Sequence, residues 1–489
     1  MTRLWKTSAL AYLFCAGCAV GPRYQRPVAQ TPPALKEMAG NDQWKMATPG
    51  DGLPKGKWWE IFGDPQLNRL EELVGVDNQN VKQAEAQFRE ARALVLSAHS
   101  SYYPSIGSSP SISQSYVEKR ASHSFSLPAT VAWEPDLWGR VRLSVENAVS
   151  NAQVSAADLE NIRLSQQALL ATDYFLLSAQ DMQLSLLSDT IEAYEKNLQL
   201  AINRHAGGVA SRSDITLAQT QLAAAKAQSV QMHIARAQDE HAVAMLTGQL
   251  PASLRIGAGR IGGPPPPIPM GVPSQLLERR PDIAANERQV AAANANVGLA
   301  TAAYYPTLTL SATPGFLATN LANLLTYASR SWSAGPSLSQ TLFDFGRRGA
   351  AMESAQAAYD ATVASYRQTV LSAFQEVEDD LSNLRYLAEE ADREQEAVVA
   401  AQEALTLEMA RYRAGTDSYL NVITTQIIAL GDQQTAITIL QQRMTAAVDL
   451  IKALGGGWDA STLPSRDALR SVALADPKNT QKVAQPAGK

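Results

Sequence analysis

The chain has 489 residues, 45% of them apolar and 18% charged, which suits a chain with large buried cores and excludes disorder. Its 42 basic and 47 acidic residues leave a net charge of −5 with no basic stripe, so no nucleic-acid partner is expected. The two cysteines, Cys15 and Cys18, exclude a disulfide framework or cysteine zinc site in the body. No run of about 18 apolar residues occurs, so no ordinary membrane-spanning helix is expected.

The first segment reads as an export signal: Arg3 and Lys6, a short apolar stretch from Thr7 to Phe14, then Ala16 and Gly17 before Cys18. The ending C-A-G-C (15–18) resembles the bacterial lipobox, in which the last cysteine is acylated and becomes the mature N-terminus; the alternative is a plain signal peptide. Cleavage would remove residues 1–17 and take the net charge from −5 to −7. Covalent acyl and diacylglycerol lipid on Cys18 would hold the chain to a bilayer at about 0.8 kcal/mol per buried CH₂. Residues 18–56 open with a Pro-rich stretch and read as an extended tether.

The body is one unit written twice. A shift of 207 aligns Gly139-Arg140 with Gly346-Arg347, Arg204 with Arg411, Gly208 with Gly415, Ser211 with Ser418 and Gly248 with Gly455. Upstream, Tyr103-Pro104 matches Tyr305-Pro306 at a shift of 202. The first repeat is read as 57–261, the Pro/Gly-rich linker as 262–273, the second repeat as 274–456, and a polar tail as 457–489.

Residues 140–206 and 350–414 contain neither glycine nor proline and are rich in helix formers. Leu170, Leu177, Leu184, Ile191 and Leu198 recur every seven residues, as do Val377, Leu384, Ala391, Val398 and Leu405. That spacing predicts coiled-coil-like rods roughly 100 Å long, about three times the hydrocarbon thickness of a bilayer. Glycine-containing turns at 207–210 and 415–418 should return each rod as a second helix, 211–247 and 419–454.

Before each rod the pattern changes to period two. In 124–133 the odd positions Phe125, Leu127, Ala129, Val131 and Trp133 alternate with mostly small or polar residues, and 332–342, 104–117 and 306–315 read similarly. By pattern alone a small soluble sheet with one buried face is favoured; on an exported chain without a spanning helix, the alternation predicts transmembrane β-strands, lipid on one face and water on the other. Two strands per copy give four per chain. Sheets in lipid must close, and four strands are too few, so several chains must share one barrel. Three chains with twelve strands is the natural count, although counting alone leaves two or four open.

No H-E-x-x-H and no phosphate-cradling motif occurs, and the G-x-G-x-x-G at Gly257, Gly259 and Gly262 runs into polyproline instead of opening a helix. His99, His123, His205, His233 and His241 include no pair at helical ligand spacing, so neither a metal site, a cofactor nor an enzyme is expected. Arg279 and Arg280, just before Pro281, read as structural.

Six segments in order now carry a resemblance to the TolC-like outer-membrane factors, in their acylated multidrug-efflux branch. They are K-W-W-E-I-F-G-D-P-Q-L (57–67), W-E-P-D-L-W-G-R (133–140), L-L-E-R-R-P-D-I (276–283), A-A-Y-Y-P-T-L (302–308), G-P-S-L-S-Q-T-L-F-D-F-G-R-R (335–348) and R-Y-R-A-G-T-D-S-Y-L (411–420). The resemblance implies a mainly α fold in which long antiparallel helical hairpins form a tunnel across the periplasm. Four strands per chain would join a shared trimeric twelve-stranded transmembrane β-barrel. It also implies a homotrimer in outer-membrane lipid of a Gram-negative bacterium, docked to a periplasmic adaptor protein and an inner-membrane pump of the RND type. The function implied is a passive exit duct for small toxic compounds; alternatives are an exit duct for secreted peptides or proteins and a non-conducting acylated scaffold.

The resemblance places a periplasmic gate at Asp417, Tyr412 and Arg411, where a ring of Asp417 carboxylates would attract cations and repel anions. Asp417 also suits an ordinary helix cap, and Arg204 and Arg411 suit simple helix-dipole pairing. In the better-known arrangement of the family the aspartates lie further along this helix; those positions here carry Asn421 and Thr424, so that ring is expected to be absent, and Asp214, the first-repeat counterpart of Asn421, is a weaker candidate. Gly208 and Gly415 should take positive φ, and with Val209, Ser211, Asp214, Ser418 and Tyr419 they form the expected adaptor-facing tip turns.

Overall fold

The structure is a computed structural model that describes residues 20–32, 34–37, 56–117, 120–268 and 276–471; Cys18 and the leader lie outside them. Two short helices, α1 (Pro65–Asp77) and α2 (Gln79–Ser100), precede strands β1 (Ser105–Ser108), β2 (Ser111–Val117) and β3 (Arg120–Trp133). The first rod, α3 (Arg140–Ala206), turns into α4 (Arg212–Leu246). The second copy repeats the order with α5 (Pro281–Ala302), β4 (Thr307–Ala318), β5 (Arg330–Ser339), α6 (Arg347–Ala414) and α7 (Tyr419–Ala453). A short helix, α8 (Arg466–Ser471), closes the described chain.

Both rods begin alike. Gly139 and Gly346 take φ of +82° and +89°, a left-handed conformation that swings the chain from strand to helix. An upstream carboxylate then meets the open N–H groups: Asp136 accepts from Val141 and Arg142 at 2.9 and 3.0 Å, and Asp344 from Gly346 and Arg348 at 3.2 and 3.3 Å. The rods end as the turns predict, with φ of +72° at Gly208 and +77° at Gly415.

The seven-residue positions that lie in the middle of the molecule are the buried ones: Leu170, Leu177 and Val377 are fully buried, and Leu384 and Val398 nearly so. Leu170, Leu177, Val377 and Leu384 join one core with Trp58, Trp59, Leu67, Tyr174, Leu381, Leu450 and Ile451, so the two copies share a hydrophobic centre. Arg280 ties this region together, bonding Asp282 at 2.7 Å, Glu376 at 2.8 Å and the Ala453 carbonyl at 3.0 Å, which is the structural role expected of it. The N-terminal strap lies along the same region. Val20 donates to the Trp138 carbonyl at 3.2 Å, Asn294 donates to the Pro22 carbonyl at 3.2 Å, and the Lys36 and Glu37 N–H groups donate to Glu378 at 2.7 and 3.0 Å.

The strands form one antiparallel sheet in the order β1–β3–β4–β5, with β2 also on β3. β1 and β2 are one strand position interrupted at Ser109-Pro110: Ser108 pairs with Ala129 and Ser111 with Ser126, so the register runs through the gap. Proline has no N–H to give the ladder, and the sequence pattern did not foresee that break. Among the described residues no helix is long and apolar enough to cross a membrane.

Candidate functional site: a two-faced sheet and a helical tip

Register assigns every strand residue to a face. Ile106, Val131, Ala312 and Ala334 share one face, together with Ile112, Phe125, Leu127, Trp133, Leu308, Leu310, Phe316, Trp332 and Leu338. The other face carries Ser111, Ser113, Ser115, Ser122, Ser124, Ser126, Thr130, Thr307, Thr309, Ser311, Thr313, Ser331, Ser333, Ser337 and Ser339. One side is therefore mainly aliphatic and aromatic, with Gln114, His123 and Arg330 toward the strand ends, and the other mainly hydroxyls, with Leu317 and Arg120 among them. The apolar side has no core beneath it: Ile106, Ile112 and Trp332 are 78%, 74% and 80% exposed. A soluble sheet would bury that face, whereas a wall between lipid and water would not.

At the opposite end of the rods the two helix turns meet. Tyr412 and Tyr419 are both 2% exposed, their rings 5.1 Å apart over Ala218, Val422 and Ile423. Tyr419 thus belongs to the tip's interior, not to the exposed rim where the sequence reading put it, because its ring fills the space beneath Tyr412. Gly208, Val209, Ser211, Gly415 and Ser418 do lie on the rim, with Asp214 half-buried behind it.

Arg204 bridges the copies: it donates to the Arg413 carbonyl at 2.9 Å, and its guanidinium carbon lies 4.6 Å from the Tyr412 ring centre. That exceeds dipole pairing within its own helix. Arg411, its counterpart, instead pairs with Glu408 at 2.8 Å and Asp417 at 3.3 Å. Asp417 also accepts from the Ser418 N–H and from Asn421 Nδ2, both at 2.7 Å. It precedes the cap position, which Ser418 occupies. The backbone N–H of Ser418 first, then Asn421 and Arg411, hold the Asp417 carboxyl below the usual carboxylate range. Burial pushes the Tyr419 hydroxyl up to about 12, and burial with the Asp214 charge raises that of Tyr412. Ser211 and Asp214 form a closed cap, the hydroxyl donating to the carboxylate at 2.7 Å.

Sequence reasoning singled out Arg411, Tyr412 and Asp417 but missed the Arg204–Tyr412 stack and Glu408. A three-residue step from Glu408 to Arg411 on one helix face was the available signal. Nothing in sequence order brings Arg204 to Tyr412.

A shared sheet with one apolar and one hydroxyl face, carried on paired 67- and 68-residue rods, defines a subunit of a membrane duct. The chain belongs to the outer membrane efflux protein family, whose model matches residues 73–249 and 272–456. It is 30% identical over 468 residues to the solvent efflux pump outer membrane protein SrpC of Pseudomonas putida, covering 92% of this chain and 98% of that one. The solved outer-membrane channel OprN superposes with a TM-score of 0.83 at 30% identity, covering 90% of this chain and all (100%) of that one. The Campylobacter jejuni CmeC channel shares the fold at a TM-score of 0.85 and 22% identity, over 93% of this chain and 98% of that one.

Proposed function

We propose that three copies of the chain form the exit duct of a tripartite efflux system in the outer membrane. The rods make the periplasmic tunnel, and the sheet contributes four strand positions to a closed twelve-stranded barrel. The observation that carries this is the sheet itself. Its apolar face lacks a core, and both edges are unpaired, β5 being exposed along its whole length. Open edges in hydrocarbon cost several kcal/mol per unsatisfied group, so closure by further copies follows. Hydroxyls on the inner face give small solutes a wet wall with little charge, Arg120 at its edge excepted.

In this reading a periplasmic adaptor meets the rim at Gly208, Val209, Ser211, Gly415 and Ser418, and an RND-type inner-membrane pump supplies the energy. Arg411, Tyr412 and Asp417 form the gate. Cys18 carries the lipid. Val20, two residues on, is bonded to Trp138 at the strand–helix junction, so acyl chains would enter the bilayer at the barrel's base. SrpC, similar over most of its length, is named for solvent efflux, which supports apolar toxic compounds as cargo.

The test is growth of a deletion strain on a panel of solvents, antibiotics, dyes, detergents, aromatic acids and metal salts, complemented by wild type and Cys18→Ala. Hypersensitivity to several unrelated compounds, restored by wild type, is expected. An unchanged panel together with purified protein that conducts no current in planar bilayers would refute the duct.

A further inference from the structure

The two hairpins of the sheet differ at the end away from the rods. In the first copy only Glu118 and Lys119 separate the paired residues Val117 and Arg120, so that turn is short and its sequence charged. In the second copy the corresponding segment, between β4 at Ala318 and β5 at Arg330, is the longer one, and the five extra residues of that copy fall within it. Nothing in this loop is charged. No acidic residue stands between Glu287 and Asp344, and no basic one between Arg288 and Arg330.

The loop also closes its own hydrogen bonds. Asn320 Oδ1 accepts from the Ala322 N–H at 3.0 Å, and the Asn323 carbonyl accepts from the Thr326 and Ser329 hydroxyls at 2.8 and 2.7 Å. The Leu324, Thr326 and Ser329 N–H groups donate to the Leu321, Asn323 and Thr326 carbonyls, each at 3.2 Å. The polar side chains are thus turned onto the loop's own backbone, and the apolar ones point away from it: Leu321, Leu325 and Tyr327 are 60%, 72% and 81% exposed. A loop standing in water has no need of that arrangement, whereas backbone at a lipid boundary must be satisfied internally.

Arg330 fixes the side on which this surface lies. It stands opposite Phe316, on the apolar face of the sheet, and its guanidinium carbon is 4.4 Å from the Tyr327 ring centre. Tyr327 is therefore on the apolar side too, and the loop continues that face past the strand ends. At the join sits one cation, for which the second hairpin offers no carboxylate.

We infer that the β4–β5 loop docks on the outer leaflet of the membrane, with Leu321, Leu325 and Tyr327 at the boundary between acyl chains and headgroups and Arg330 reaching up to a headgroup phosphate. This rests on the shared-barrel reading, which turns the apolar face to lipid. A planar guanidinium suits phosphate oxygens, and its long stem lets a residue rooted among apolar neighbours reach the headgroup plane.

Nitroxide labels test the docking in vesicles of phosphatidylcholine containing diphosphoryl lipid A. A label at Leu325→Cys should be reached by oxygen and shielded from a water-soluble nickel chelate, as should one at Ala334→Cys within the apolar face; protein without the added cysteine gives the blank. A Leu325 label open to the chelate beside a shielded Ala334 label overturns the docking while the barrel stands. Both labels open to the chelate overturn the barrel and the docking together. A shielded Leu325 label broadened by neighbouring spins places the loops together over the mouth, which also overturns the inference. For the headgroup, lipid A retained by the purified protein should fall about fivefold in Arg330→Ala and recover in part in Arg330→Lys. Unchanged retention, or displacement of the lipid by inorganic phosphate alone, overturns the phosphate contact.

Discussion

Replacing Arg204 tests a side chain that joins the two helical hairpins at the tip by both a hydrogen bond and a ring contact. Arg204→Ala removes a charge-assisted hydrogen bond to the Arg413 carbonyl and a cation–π contact with Tyr412. The first is worth about 1.5–3 kcal/mol and the second about 0.5–1 kcal/mol at a half-exposed site. Because the Arg413 carbonyl is near solvent and regains water, the net loss should be about 2 kcal/mol per chain. At 1.4 kcal/mol per tenfold, that shifts a closed-to-open tip equilibrium roughly 30-fold toward open. Single-channel recording of the purified duct in planar bilayers reads the shift as open probability. Arg204→Lys keeps the charge without the planar fork and should fall between. In a double-mutant cycle with Tyr412→Ala, a coupling of about 0.5–1 kcal/mol belongs to the stack. Wild-type open probability in Arg204→Ala, beside a raised value in Tyr412→Ala, would refute the bridge: the tip would then be held by tyrosine packing alone.

Asp380 is pushed up to about 7 by burial, then by Asp449, Glu376 and Asp379, against a smaller opposing pull from Lys452. A carboxyl raised in the folded state stabilises fully below its unfolded value near 4 and loses that contribution as pH rises through about 7. The melting temperature should therefore fall between pH 5 and pH 8, and Asp380→Asn should flatten the fall; an unchanged slope would exonerate this group. Asp417 has the opposite sign: its depressed carboxyl contributes above the ordinary carboxylate range and is lost as pH falls through its folded value. Asp417→Asn should remove a step on the acid side of a pH series of open probability. Leu177→Ala empties a fully buried site in the shared core and should cost about 2–5 kcal/mol, read by denaturant unfolding of the detergent-solubilised protein. Gly455 takes φ of +89°, and a Cβ there would stand 1.9 Å from the Arg279 carbonyl oxygen. Gly455→Ala should abolish folded protein in the outer membrane, and a normal yield would show that this turn can relax.

Periodicity made the rods and strands legible, because Leu170, Leu177 and Val377 sit where a seven-residue repeat meets a neighbouring helix. Register was not legible, since it depends on the hairpins and on the silent gap at Pro110. Nor was the tip, whose contacts join residues about two hundred apart. The duplication explains why the tip resisted. Along the body some residues of copy one have a counterpart that does the same work, as with Trp133 and Gln340, which donate to the Tyr102 and Tyr304 carbonyls. At the tip the counterparts diverge: Tyr412 answers to His205, Asp417 to Ala210 and Asn421 to Asp214. Arg204 reaches across to copy two, while Arg411 turns back to Glu408 and Asp417 of its own copy. In the proposed three-chain ring the walls would therefore approach sixfold symmetry, whereas at the tip only the seam inside each chain carries the Arg204 stitch. A tube needs equivalent walls to close evenly. A tip that opens must release the Arg204 stitch inside each chain, so its loss is expected to favour the open state.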